Sequence, residues 1–156
     1  MSFTPKSLFL TFATTEMFTW ALLIAGLAIR AFSGLDPNLF FIVGATHGFA
    51  FLGYSVTAVL VAVNQRWSVG RSGLAVVLAI IPFATLPFEK SLERKGLLEG
   101  QWRTAAGTNP SDNSRFDAVF RWFIARPLIL VFLLAGFVIV LFSVLLWVGP
   151  PYEWGK

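Results

Sequence analysis

Two ionisable side chains stand in otherwise apolar stretches of this sequence. Glu16 sits within TTEMFTW and His47 within GATHGFAFLGY, separated by 31 positions. A carboxyl and an imidazole can pass a proton, so one chemistry open to them is a proton relay or a quinone-facing pair. The other is structural: an ionisable group in lipid is costly, so it faces the bundle and takes a partner. Thr46, Tyr54 and Thr85 supply hydroxyls nearby in the pattern. Pro82 and Pro87 lack the N–H groups that would bond to the Leu78 and Phe83 carbonyls. Carbonyls freed in a membrane must find other donors. Glu16, His47, Thr46, Thr85, Pro82 and Pro87 are therefore expected to form a polar clasp joining three helices. A protonated Glu16 and a neutral His47 would each donate one hydrogen bond. At 1.5 Å of rise per residue, Glu16 lies about 13 Å from the terminal side and His47 about 12 Å from the opposite side. His47 is thus a turn or more deeper, and the two side chains tilt apart, each toward its own helix N-terminus.

Other chemistries are excluded by what the sequence lacks. With no cysteine there is no disulfide, thiolate metal site or iron–sulfur ligation. The one histidine rules out a site needing two imidazoles, and nothing supplies a second ligand for a haem. No nucleophile stands near a base in the pattern, so no enzyme, metal or cofactor is expected. The net charge of +4 forms no stripe, which points to anionic lipid headgroups and not to nucleic acid.

The elements that would position the clasp are membrane spans. Of 156 residues, 56% are hydrophobic and 13% charged, with a mean hydropathy of +0.74. A soluble domain of this size has too little interior to hide so much apolar surface, whereas a bilayer solvates it. The expected fold is all-α, a transmembrane bundle of about four helices. Spans are predicted over 7–29, 39–64, 72–88 and 127–148. No signal-peptide cleavage pattern is expected after the first span. The residues group as a three-helix core (1–95), a polar loop with an amphipathic segment (96–126), and a fourth span with a short tail ended by Pro150 and Pro151 (127–156). Pro37 suits a helix start. The charged run after Phe88 extends the third helix past the membrane.

Phe116, Val119, Phe120 and Phe123 share one face at helical spacing. Two readings stand: a separate helix lying in the interface, or the first turns of the fourth helix. Arg66, Trp67 and Arg71 in one loop, and Arg121, Trp122 and Arg126 before the last span, are the predicted interfacial anchors. Gly44, Gly48 and Gly53 allow close helix approach. No internal repeat is present, which disfavours an inverted-repeat transporter.

Four spans would put Lys6, Arg66, Arg71 and Lys156 on one side. Arg30, Lys90, Arg94, Lys95, Arg103, Arg115, Arg121 and Arg126 would lie on the other, making the 89–126 loop cytoplasmic by the positive-inside rule. The Arg66/Arg71 pair counts the other way.

The segments TTEMFTW, GATHGFAFLGY and IIPFATLPFEKSLERK resemble a small uncharacterised family of bacterial, actinobacterial-type integral membrane proteins. That family has Glu in its first helix, His-Gly in its second, and Pro-Phe-x-Thr with a following acidic residue ending its third. The pattern falls on Glu16, His47, Gly48, Pro82, Phe83, Thr85 and Glu89, and departs from it at Met17 and Ala84. The resemblance covers roughly residues 8–95 and implies a multi-pass protein of the bacterial inner membrane. Small proteins of this kind also resemble accessory subunits of respiratory supercomplexes. The expectation is a non-catalytic accessory or assembly subunit of a larger membrane complex. The alternative is a small proton-coupled transporter or channel using Glu16 and His47.

Overall fold

A computed structural model describes residues 4–149, all of whose regular elements are helical. Lys156, Pro150 and Pro151, which carried part of the expected topology, lie outside the described residues. The chain divides into two compact units, 1–100 and 101–156.

The first unit opens with α1 (Pro5–Ser33), 29 residues long. Thr4 and Ser7 cap it reciprocally, side chain to backbone, Pro5 occupies the first turn, and Gly34 ends it at φ +74°. Asp36 then accepts from the Asn38 and Leu39 N–H groups to start α2 (Pro37–Asn64), 28 residues long. The two pack against each other closely at Gly53, where an added Cβ would lie 2.7 Å from Cε1 of Phe12. Gly44 has open space instead.

The predicted third span does not run continuously. Ser68 caps α3 (Val69–Leu78), the chain turns over 79–84, and α4 (Thr85–Arg94) follows; each helix has 10 residues. At about 15 Å, each reaches only about half a bilayer core. The two form a hairpin that returns to the end it left. Trp67, just before α3, donates from Nε1 to the Leu97 carbonyl at 3.0 Å. Gln65 Nε2 donates to the Glu99 carbonyl at 3.0 Å, and Lys6, at the start of α1, pairs with Glu93 at 3.2 Å and Glu99 at 2.8 Å.

Proline chemistry accounts for the break. Around the turn the hydrogen bonds tighten to three-residue spacing: Ala79 N–H to Val76, Ile80 to Val77, Ile81 to Leu78. The Ala79 carbonyl would next take residue 82, but proline has no N–H. Phe83 then enters the left-handed region at φ +63° and the helix axis reverses. Pro87 falls in the first turn of α4, where its missing N–H costs little.

The expected sidedness is corrected accordingly. Within this unit Lys6, Arg66, Arg71, Lys90, Arg94 and Lys95 share one end, and Arg30 lies at the other. Arg66 and Arg71 no longer oppose the lysines of α4.

In the second unit a short 3-10 turn (Pro110–Asn113) leads to α5 (Arg115–Ile124) and α6 (Pro127–Val148). Of the two readings for 115–126, a separate helix is observed. Ala125 closes α5 with its N–H on the Arg121 carbonyl at 2.8 Å, and Arg126 leaves helical geometry at φ −123°. Among the described helices, α1, α2 and α6 are long and apolar enough to cross a membrane. The molecule is thus an all-α membrane bundle in which a hairpin takes the place of the third crossing.

Candidate functional site

Glu16 projects from the middle of α1, about 16 Å along the helix from Pro5, and is 0% exposed. Its Oε2 accepts from the Thr85 hydroxyl at 2.9 Å. Thr85 is the first residue of α4, so the carboxyl lies at a helix N-terminus, where the helix dipole favours negative charge. Its Oε1 is buried and has no hydrogen-bond partner among the described residues. The Glu16–Thr85 contact of the expected clasp is present, carried by the returning hairpin.

His47 lies one turn deeper, as the rise per residue predicts, and meets α1 through Thr19. Thr19 Oγ1 donates to the Glu16 carbonyl at 2.9 Å and lies 3.0 Å from His47 Nδ1. A hydroxyl has one proton to give, so Thr19 accepts from His47 Nδ1–H, which fixes the tautomer or the charged form. The imidazole also rests on the Trp20 ring, with centroids 4.4 Å apart.

The carbonyls freed by the helix break are not taken by Glu16 or His47. Leu78 and Phe83 are satisfied locally by the Ile81 and Leu86 N–H groups. Ala75 and Ala79 are among the carbonyls that lose their four-residue partners where the bonds tighten. Tyr54 donates its hydroxyl to Ala75 at 3.2 Å, and Trp20 Nε1 donates to Ala79 at 3.1 Å. Each aromatic side chain thereby fastens one spanning helix to the hairpin. The sequence signal for Trp20 and Thr19 is spacing: four and three residues from Glu16 on one helix face. Pro82, Pro87 and Thr46 lie on exposed positions. Thr46 follows the wrong side of α2, since neighbours on a helix point in different directions.

One turn beyond Thr85 on the same face of α4 stands Glu89, whose Oε2 is also buried and without a partner among the described residues. Burial and the neighbouring Glu93 push its carboxyl above the usual carboxylate range, with Lys90 opposing. Tyr54, fully buried, is within electrostatic reach of both Glu16 and Glu89.

The predicted anchors divide. Trp67 is buried within the unit: it packs on Phe9 and Phe88 with centroids 5.8 and 6.3 Å away, and its N–H is committed to Leu97. Arg121 turns inward as well. Its Nη2 donates to the Asp112 carbonyl at 2.8 Å and its Nη1 lies 3.6 Å from the Asp112 carboxylate. Arg103 completes that group, bonding Asp112 at 3.2 Å and Asp117 at 3.0 Å. With the polar side of α5 so occupied, Phe116, Val119 and Trp122 point outward. Arg126 stacks over Trp122 at 4.2 Å, both exposed. Arg66 is exposed at φ +54° and Arg71 is half-buried. No group of three or more metal-ligating side chains occurs among the described residues.

Residues 7–94 match the family described as Domain of unknown function (DUF3817). Over 87 residues, 55% of this chain, the sequence is 37% identical to "Putative membrane protein SCO5905" of Streptomyces coelicolor. The chain covers 10% of that relative's length. No solved structure matches. The matched stretch holds Glu16, His47, Thr85 and both arms of the hairpin, and the chain belongs to the DUF3817 family.

Proposed function

We propose that this chain is a non-catalytic accessory or assembly subunit that packs against a larger complex in the bacterial inner membrane. The observation that carries the reading is the hairpin turn. Its residues 79–84 are non-helical and lie about half a bilayer's depth from the end the hairpin enters. Irregular backbone is tolerated at that depth only where protein buries it or water reaches it. Yet Ile80 (62%), Ile81 (51%) and Phe83 (40%) are exposed apolar side chains, which suit a protein cover and not a water-filled one. Beneath it Trp20 and Tyr54 donate to the Ala79 and Ala75 carbonyls, which fastens the hairpin to both spanning helices as a packing unit requires. A respiratory supercomplex is the class of assembly that the sequence resemblance suggests.

The end carrying Lys6, Arg66, Arg71, Lys90, Arg94 and Lys95 is assigned to the cytoplasm, because lysine and arginine set orientation. Purification from native membranes in mild detergent, followed by mass spectrometry, tests the reading. The expected result is stoichiometric recovery with a larger membrane assembly, lost on Ile81→Lys. Recovery only as a free chain overturns it.

A further inference from the structure

Around Glu16 the structure gathers groups that a packing role leaves unexplained. A fully buried carboxyl in a membrane helix needs a cation, a full set of donors or a proton of its own. Glu16 accepts one hydrogen bond, from the Thr85 hydroxyl; the Trp20 N–H one turn along α1 lies near the carboxyl but is given to Ala79, and the second carboxyl oxygen has no hydrogen-bond partner among the described residues. The titratable and charged groups facing it can be named element by element. From α2 come Tyr54, whose hydroxyl is committed to Ala75, and His47, which reaches only the Glu16 carbonyl, through Thr19. From α3 comes Arg71, in the first turn at the charged end. From α4 comes Glu89, one turn from Thr85, with Lys90 and Glu93 beyond it. Lys6, on α1 itself, is spent on Glu93 and Glu99. Among the described residues no cation is bonded to the Glu16 carboxyl.

We propose that Glu16, Thr85 and Glu89 form a proton-binding site in which Glu16 holds an exchangeable proton and Glu89 sets the pH at which it leaves. Thr85 gives its hydroxyl proton to Oε2, so the acid proton of Glu16 belongs on Oε1, the oxygen without a partner. When the proton departs, the α4 N-terminus and the Thr85 hydroxyl remain to hold the anion. Glu89 stands between this carboxyl and the charged run that ends α4, and Tyr54 lies within electrostatic reach of both acids. Because Thr85, bonded to Glu16, stands one helical turn from Glu89 on α4, a negative charge at Glu89 would oppose one at Glu16. The net change is one proton exchanged with solvent, with no other bond made or broken. This goes beyond the packing reading and does not depend on a partner.

Infrared spectroscopy of the purified chain in lipid nanodiscs tests the site, because a protonated carboxyl in apolar surroundings has its own C=O stretch. Spectra are taken over a series of pH values from acid to alkaline, and after transfer to deuterated buffer. The expected band shifts in deuterated buffer, declines as pH rises, and is missing in Glu16→Gln. In Glu89→Gln its midpoint moves to lower pH by about one unit, since a neighbouring negative charge has gone. Carbodiimide labelling of the native chain, read by peptide mass spectrometry, assigns the band to Glu16 even if Glu16→Gln fails to fold. Three results each overturn the proposal: no carboxylic-acid band from Glu16 at any pH, a band indifferent to pH and deuteration, or the same midpoint in Glu89→Gln. A merely structural carboxyl would not move with residue 89.

Discussion

Glu16 and Asp112 are carboxylates buried to a similar degree in different units, and their surroundings could hardly differ more. Asp112 takes Arg103 and Arg121, and also accepts the Gly107 N–H at 2.9 Å. The Asp117 carboxylate beside it takes Arg103, while the Asp117 backbone N–H donates to the Ser114 cap. Glu16 takes one hydroxyl and no guanidinium. The contrast teaches what each site is for. A carboxylate with cations around it is committed to being charged, and a neutral isostere there strands two arginines. A carboxyl bonded to a single hydroxyl is compatible with being neutral, and its amide isostere leaves no buried charge without a partner.

That contrast can be broken experimentally. The largest effect is expected for Asp112→Asn, which leaves buried guanidinium charge short of its partner and should cost about 3 kcal/mol. Limited proteolysis of the 101–114 segment in detergent reads it, and an unchanged cleavage rate would show the network to be ornamental. Next come Trp20→Phe and Tyr54→Phe, each of which orphans one hairpin carbonyl. A loss of about 2 kcal/mol is expected for either, seen as a lower melting temperature; their double variant should exceed either single one. Gly53→Ala forces the Phe12 ring aside and should cost about 1–2 kcal/mol by the same melt. Glu16→Gln should cost less than about 1 kcal/mol, because the amide oxygen still accepts from Thr85. If it proves as damaging as Asp112→Asn, the two carboxylates are alike and the comparison fails.

Glu89 gives the smallest effect, and its sign follows from burial. Its carboxyl is raised in the folded protein, so its contribution is fully present below the ordinary carboxylate range. That contribution is lost as pH rises through the raised value. Wild-type melting temperature should therefore fall slightly across that window, while Glu89→Gln should not show that step. Equal profiles for the two would remove Glu89 from the account.

How much of this could be read in the sequence depends on which physical quantity decides each feature. The ends of α1, α2 and α6 follow from Pro, Gly and capping side chains, so they sit near where the pattern puts them. That Glu16 meets Thr85 was not legible from rise per residue, because depth counted along a continuous third span no longer applies once the chain turns back between α3 and α4. Nor was the partner of His47, because depth does not fix rotation, and Thr19 rather than Thr46 faces the imidazole. The hairpin was hidden for a different reason. An apolar run from Ser72 to Phe88 has the same hydropathy whether it crosses a bilayer or turns back within it. Pro82 marks the spot, but a kink and a reversal share that signal; what separates them is the left-handed Phe83 and the donors waiting on Trp20 and Tyr54. The burial of Trp67 was not legible, because a rule about average tryptophans cannot know that a loop carbonyl at Leu97 lies within reach.

The returning hairpin also bears on how the chain is made. Since α4 leaves by the face through which α3 entered, Glu89, Lys90, Glu93, Arg94 and Lys95 need never be carried through hydrocarbon during biosynthesis. The first two helices can be threaded by the insertion machinery, and the short pair can then slide in from the side where it was synthesised. Its docking would wait for Trp20 and Tyr54 to be in position, which makes that step a side-on closure and not another translocation.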